Sequence, residues 1–117
     1  MERRACPRVV VIHPVLYSTV IYPRPKIAST LDLSLGGAKI DSRHKLDRDE
    51  KLEISIAIEP AVIRCKGRVA HVVERKDGKV EAGIEFEELS ANDKLYLKQY
   101  LFHVMEQQAL EASLSVE

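Results

Sequence analysis

Between Lys51 and Glu59 the chain alternates without a break. Leu52, Ile54, Ile56 and Ile58 fall on one side, Glu53, Ser55, Ala57 and Glu59 on the other, and Pro60 ends the run. Successive strand side chains point to opposite faces, so this pattern predicts a strand with one face in a core. The same period recurs along most of the chain. Residues 9–22 predict one long or interrupted strand, with Pro14 at an edge or bulge. Residues 25–35 predict a second, with Ile27, Ser29, Leu31, Leu33 and Leu35 inward and Asp32 and Ser34 side by side outward. Beyond Gly36-Gly37, Ala38 and Ile40 continue inward while Lys39 and Asp41 face out. A polar loop over 42–50 precedes the Leu52–Ile58 strand. Residues 62–73 place Ile63, Cys65, Val69 and Val73 inward and Arg64, Lys66 and Arg68 outward, with Gly67 on the inner row as a bend. Lys76-Asp77-Gly78 predicts a hairpin turn into a last strand over 79–87, where Val80, Ala82, Ile84 and Phe86 face in.

The period then becomes helical. Leu97, Tyr100, Leu101, Val104 and Met105 form one apolar stripe, and Ser90 with Asp93 three residues on reads as an N-cap. A helix over roughly 91–110 follows, lying against the sheet or plugging one barrel end. Short antiparallel strands followed by one helix predict a mainly β fold: a small six-stranded antiparallel β-barrel, split-barrel-like, with one C-terminal α-helix. A flexible basic arm over 1–8 and a single barrel domain over 9–117 complete the expected organisation.

Composition narrows the partners. The 117 residues carry 18 Lys and Arg against 18 Asp and Glu, so no global attraction to nucleic acid or to an anionic membrane is expected. Locally the balance breaks, because Arg3, Arg4 and Arg8 crowd the start. Aromatic residues are 5% of the chain and Trp is absent, which argues against a stacking platform for single-stranded nucleic acid. Cys6 and Cys65 are too few for a disulfide framework and suit a reducing compartment. The apolar run after the arginines, broken by His13 and Pro14, is shorter than the ~20 residues of a membrane helix. A soluble cytoplasmic protein with no membrane insertion is expected.

Two polar patches stand apart from the core pattern. Asp32 and Ser34 occupy mid-strand positions that strand propensity does not favour, beside a Gly36-Gly37 turn that allows close approach to backbone N–H groups. Arg4 and Arg8 are spaced i, i+4 on the arm, with Arg3 before them. An arginine fork matches phosphate oxygens or the O6/N7 edge of guanine, and its plane stacks on bases.

Together these residues resemble a known pattern. Arg4-Ala5-Cys6-Pro7-Arg8 fits RxxxR, and Asp32-Leu33-Ser34-Leu35-Gly36-Gly37 fits [DN]xSxxG. Gly83-Ile84-Glu85-Phe86 followed by a helix completes a similarity to the PilZ domain, a bacterial receptor family for cyclic di-GMP. The resemblance implies a signalling protein that binds cyclic di-GMP and responds by changing conformation. Arg4 and Arg8 would meet guanine edges and phosphates, and Asp32 would accept from guanine N1–H and the exocyclic amine. Ser34 would add a polar contact, and Gly36 and Gly37 would let base and backbone meet. Arg3 would stack on a second ligand molecule, favouring an intercalated dimer. An unidentified downstream protein partner is implied, and oligomeric state is left open. The alternative is a protein-docking adaptor of the same fold that does not depend on nucleotide.

No other chemistry competes. His13, His44, His71 and His103 share no metal-ligand spacing with one another or with the cysteines, so no metal or other cofactor is expected. Nothing resembles a P-loop, a nucleophile elbow or paired catalytic carboxylates, so no enzyme activity is expected.

Overall fold

Each strand of the computed structural model, which describes residues 7–115, finds a partner on both sides. Strands β1 (Pro14–Thr19), β2 (Lys26–Leu33), β3 (Gly37–Ser42), β4 (Lys51–Ile58), β5 (Ala61–Glu74) and β6 (Val80–Leu89) precede helix α1 (Ala91–Leu114). They close into an antiparallel barrel in the order β1-β2-β3-β6-β5-β4. Closure falls between β1 and β4, where Val15 faces Ile56, Tyr17 faces Ile54 and Thr19 faces Leu52. A closed barrel leaves no strand edge to template aggregation. The fold is mainly β with one C-terminal helix, as the alternation predicts.

The β4 pattern holds residue for residue. Leu52, Ile54, Ile56 and Ile58 are buried and join Ile63, Val69, Ile40, Ala82 and Ile84 in the core. The buried Tyr17 hydroxyl is paired, as burial demands: Tyr17 Oη and Ser42 Oγ are 2.8 Å apart.

Three segments depart from the expected phase. The first strand begins at Pro14, not Val9. Val9 forms only an isolated bridge with Leu33, donating to and accepting from its backbone at 2.9 Å, while Val10 and Ile12 are exposed. In β2 the inward residues are Ala28, Thr30 and Leu33, and Ile27 is 75% exposed. A register shift between Thr30 and Asp32 inserts Leu31 as an extra residue and reverses the phase. Thr30 tolerates full burial because its hydroxyl donates to the Val11 carbonyl and accepts from His13 N–H. In β5 a second shift, between Val69 and His71, brings Val72 inward and leaves Val73 53% exposed. The bend expected at Gly67 coincides with a third shift, between Lys66 and Gly67.

Helix α1 plugs one end of the barrel. Ser90 Oγ accepts from Asp93 N–H at 3.1 Å, and Leu97 and Leu101 are buried in the core. Tyr96 Oη donates to the Ile58 carbonyl at 2.7 Å, and Tyr100 Oη lies 2.6 Å from His13 Nε2, so the helix is tied to the β4–β5 turn and to the entry of β1. It runs to Leu114, a turn past the predicted end, and Leu110 and Leu114 are exposed on its last turns. The connections β1–β2, β3–β4 and β5–β6 lie at the opposite end of the barrel from α1, whereas the β2–β3 turn lies at the helix end.

Candidate ligand site at the β2–β3 turn

The bulge that reverses β2 also sets the site. It turns Asp32 so that Oδ1 accepts from Lys39 N–H at 3.2 Å and from Arg8 Nη1 at 2.9 Å. The Asp32 side chain is only 15% exposed, whereas that of Arg8 is 57% exposed. Arg8 is therefore a displaceable cap over a carboxylate anchored to the sheet.

Ser34 is not on the outer face beside Asp32, as the alternation implies. It is buried, with Oγ accepting from Gly36 N–H and donating to the Gly37 carbonyl, each at 3.2 Å. A backbone bond from Ser34 N–H to the Gly37 carbonyl, 2.8 Å, closes the turn, and Phe86 N–H to the Gly36 carbonyl, 2.9 Å, fastens it to β6. The hydroxyl thus shapes the turn from within. Gly37 is required by the packing of strand on strand: a Cβ there would sit 2.1 Å from the Ile84 carbonyl oxygen.

A cavity of about 290 Å³ opens at this turn, bounded by Arg8, Ser34, Gly36, Gly37, His71 and Glu85. Of the residues singled out from sequence, the structure brings Arg8, Ser34, Gly36 and Gly37 to one cavity and holds Asp32 directly behind Arg8. Arg3 and Arg4 lie outside the described residues.

Sequence reasoning missed His71 and Glu85. The shift in β5 places His71 opposite Gly83, with its imidazole covering that glycine so closely that a Cβ would lie 2.1 Å from the ring. A glycine in mid-strand was the available signal, since it marks a position where another group comes close. Glu85 is engaged by Arg68, which also reaches Asp49.

A family model for the PilZ domain matches residues 2–103. The chain belongs to the PilZ domain family. Solved structures of similar fold include Escherichia coli YcgR in complex with c-di-GMP, at 16% identity and a TM-score of 0.80, covering 99% of this chain and 52% of that one. Bacillus subtilis inhibitor of motility MotI/DgrA aligns at 18% identity and a TM-score of 0.79, covering 92% and 53%. K. pneumonia MrkH in complex with c-di-GMP aligns at 15% identity and a TM-score of 0.71, covering 93% and 54%. The PilZ chain spans about half the length of each of these relatives. No curated protein matches. MrkH is described as a c-di-GMP-dependent transcription regulatory factor, so the expected exclusion of nucleic acid finds no support in this comparison.

Among the described residues, no cluster of His, Cys, Asp and Glu can hold a metal, and no helix is long and apolar enough to cross a membrane. Cys65, on the inward row of β5, has its thiol pushed up to about 12, first by burial and then by the Asp93 carboxylate.

Proposed function

We propose that this PilZ domain is a cytoplasmic receptor for cyclic di-GMP that acts by binding, without catalysis. The observation that carries the reading is the pairing of Arg8 of the RxxxR segment with Asp32 of the DxSxxG segment. In the free protein each neutralises the other. A guanine nucleotide offers both what they need: phosphate and O6/N7 acceptors for the guanidinium, N1–H and amine donors for the carboxylate. Arg3 and Arg4 of the arm close over the ligand from outside, and Arg3 stacks on a second, intercalated molecule. Ser34 and Gly37 contribute by fixing the turn, and Gly36 by bringing no side chain to the cavity wall, so that a base can approach closely. Closure of the arm over the barrel on binding is the conformational signal read by a downstream protein.

Titration calorimetry of the full chain with cyclic di-GMP tests this. Wild type binds two molecules per chain, Arg3→Ala binds one, and Arg8→Ala shows no detectable heat. Wild-type affinity in Arg8→Ala overturns the clamp. Retained binding with one ligand per wild-type chain removes only the intercalated dimer.

A further inference from the structure

The end of the barrel opposite α1 carries a feature that the ligand site does not use. The β1–β2 turn is closed by Thr19 N–H donating to the Tyr22 carbonyl at 3.1 Å and by Tyr22 N–H donating to Thr19 Oγ1 at 2.9 Å. Its two apex residues are Val20 and Ile21, 87% and 72% exposed, followed by Tyr22 at 61%. Turn apices favour Gly, Pro, Asn and Asp, and two β-branched hydrocarbons held outward there serve neither the turn nor the core. On the outer face of the same hairpin, Leu16 and Ile27 form a cross-strand pair that is also exposed.

The two sides of this tip differ in charge. The groove on its β2 side is mostly basic, whereas on its β4 side Val20 lies with Glu53 and Glu87 beside Lys51 and Lys66. The β3–β4 loop continues from its cations into Asp47, Asp49 and Glu50. Residues 20–26 contain Arg24 and Lys26 and no acid, and Lys26 Nζ sits 4.8 Å from the Tyr22 ring centroid. Arg43 and His44 from the β3–β4 loop share a groove with Arg24 and Lys26, with Lys79 at its edge. Asp41, the acid in that groove, is already flanked by Lys79 at 3.9 Å and Arg75 at 4.0 Å. Arg24, Lys26, Arg43 and Lys45 have no carboxylate within ion-pair distance among the described residues. The even balance of the whole chain therefore conceals segregation: beyond Lys98 the charged residues described are the acids Glu106 and Glu111.

We propose that this end of the barrel is a peripheral docking surface for an anionic lipid bilayer. Val20 and Ile21 enter the acyl boundary, Tyr22 sits at headgroup level, and the cations of two neighbouring loops meet the lipid charges. An apolar apex flanked on its β2 side by cations without carboxylate partners fits a bilayer, which is apolar below an anionic plane. A nucleic acid has use for the cations but none for the apex. Docking in this way leaves the Arg8–Asp32 end facing away from the membrane, so ligand access is preserved.

The test is sedimentation of the full chain with phosphatidylcholine vesicles, with and without about a third phosphatidylglycerol. Binding is expected to the anionic vesicles alone. Val20→Ser with Ile21→Ser, and separately Arg43→Glu with Lys45→Glu, are expected to weaken it about tenfold or more while leaving the melting temperature in place. Because the chain has no Trp, Tyr22→Trp reports the tip directly, through a blue-shifted emission on anionic vesicles. Absence of anionic-vesicle binding overturns the proposal, as does an unshifted Trp spectrum, wild-type vesicle binding by the tip variant, or tighter binding of a duplex oligonucleotide than of the vesicles.

Discussion

Arg8 Nη1 donates to Asp32 Oδ1 across 2.9 Å, joining residues 24 apart in sequence at the mouth of the β2–β3 turn. With the arginine side chain 57% exposed, solvent screens the pair, and it contributes at most about 1 kcal/mol to folding. Its value lies in binding. Arg8→Ala should therefore shift the urea midpoint by little while removing cyclic di-GMP binding. Asp32→Ala also strips Lys39 N–H of its acceptor, so it should cost an additional ~1–2 kcal/mol along with the loss of binding. Denaturation and calorimetry on the same two variants separate the effects, and a large stability loss in Arg8→Ala contradicts this account.

Legibility in the sequence followed the regularity of the backbone. β4 has no register shift against either neighbour, and its Leu52–Ile58 pattern gave both the strand and its inward face. In β2 the three leucines 31, 33 and 35 suggested an unbroken alternation, but a bulge lies within it. An extra residue leaves no mark in a row of similar side chains, so the alternation points Ile27 inward, whereas the barrel leaves it exposed and buries Thr30. The Thr30 hydroxyl, satisfied by Val11 and His13, makes the polar residue the better occupant. The site was legible as residue types and not as roles. Asp32 and Arg8 meet, whereas the Ser34 hydroxyl turns into the backbone, and His71 came to the cavity through a second shift that no local pattern announces.

Gly37 and Gly83 both lie where a Cβ would come within 2.1 Å of a neighbour, but the neighbours differ. At Gly37 it is the Ile84 carbonyl oxygen, fixed in the ladder. At Gly83 it is the imidazole of exposed His71, which can rotate to another rotamer. Gly37→Ala should cost about 3 kcal/mol, since strands β3 and β6 must separate, and Gly83→Ala less than ~1 kcal/mol. Gly83→Ala should nonetheless alter ligand affinity by displacing His71 from the cavity wall. Urea midpoints and calorimetry check the contrast.

Burial and Asp93 hold the Cys65 thiol near 12, so at pH 8 only on the order of 1 in 10,000 molecules carries the thiolate. In a Cys6→Ser chain, Ellman's reagent should label Cys65 far more slowly than a free cysteine peptide, and urea above the unfolding midpoint should restore the rate. Prompt labelling of the folded chain contradicts the inward placement of this residue.

His13 gives the fold a defined response to mild acid. Burial lowers its pKa below the ordinary 6.5, and the neutral ring packs edge-on against Tyr100, 5.3 Å between centroids. The unfolded chain then binds a proton more readily than the folded one between 6.5 and the depressed native value. The stabilisation is fully present above pH 6.5 and falls away as pH drops through that window. Thermal denaturation midpoints should be level from pH 8 to 7 and decline from about 6.5 downward, before the carboxylates titrate. His13→Gln should start from a lower midpoint, having lost the ring contact that anchors α1 to the entry of β1, and should show a flatter profile over the same range. An unchanged slope in His13→Gln would assign the acid response to other groups and remove His13 as its source.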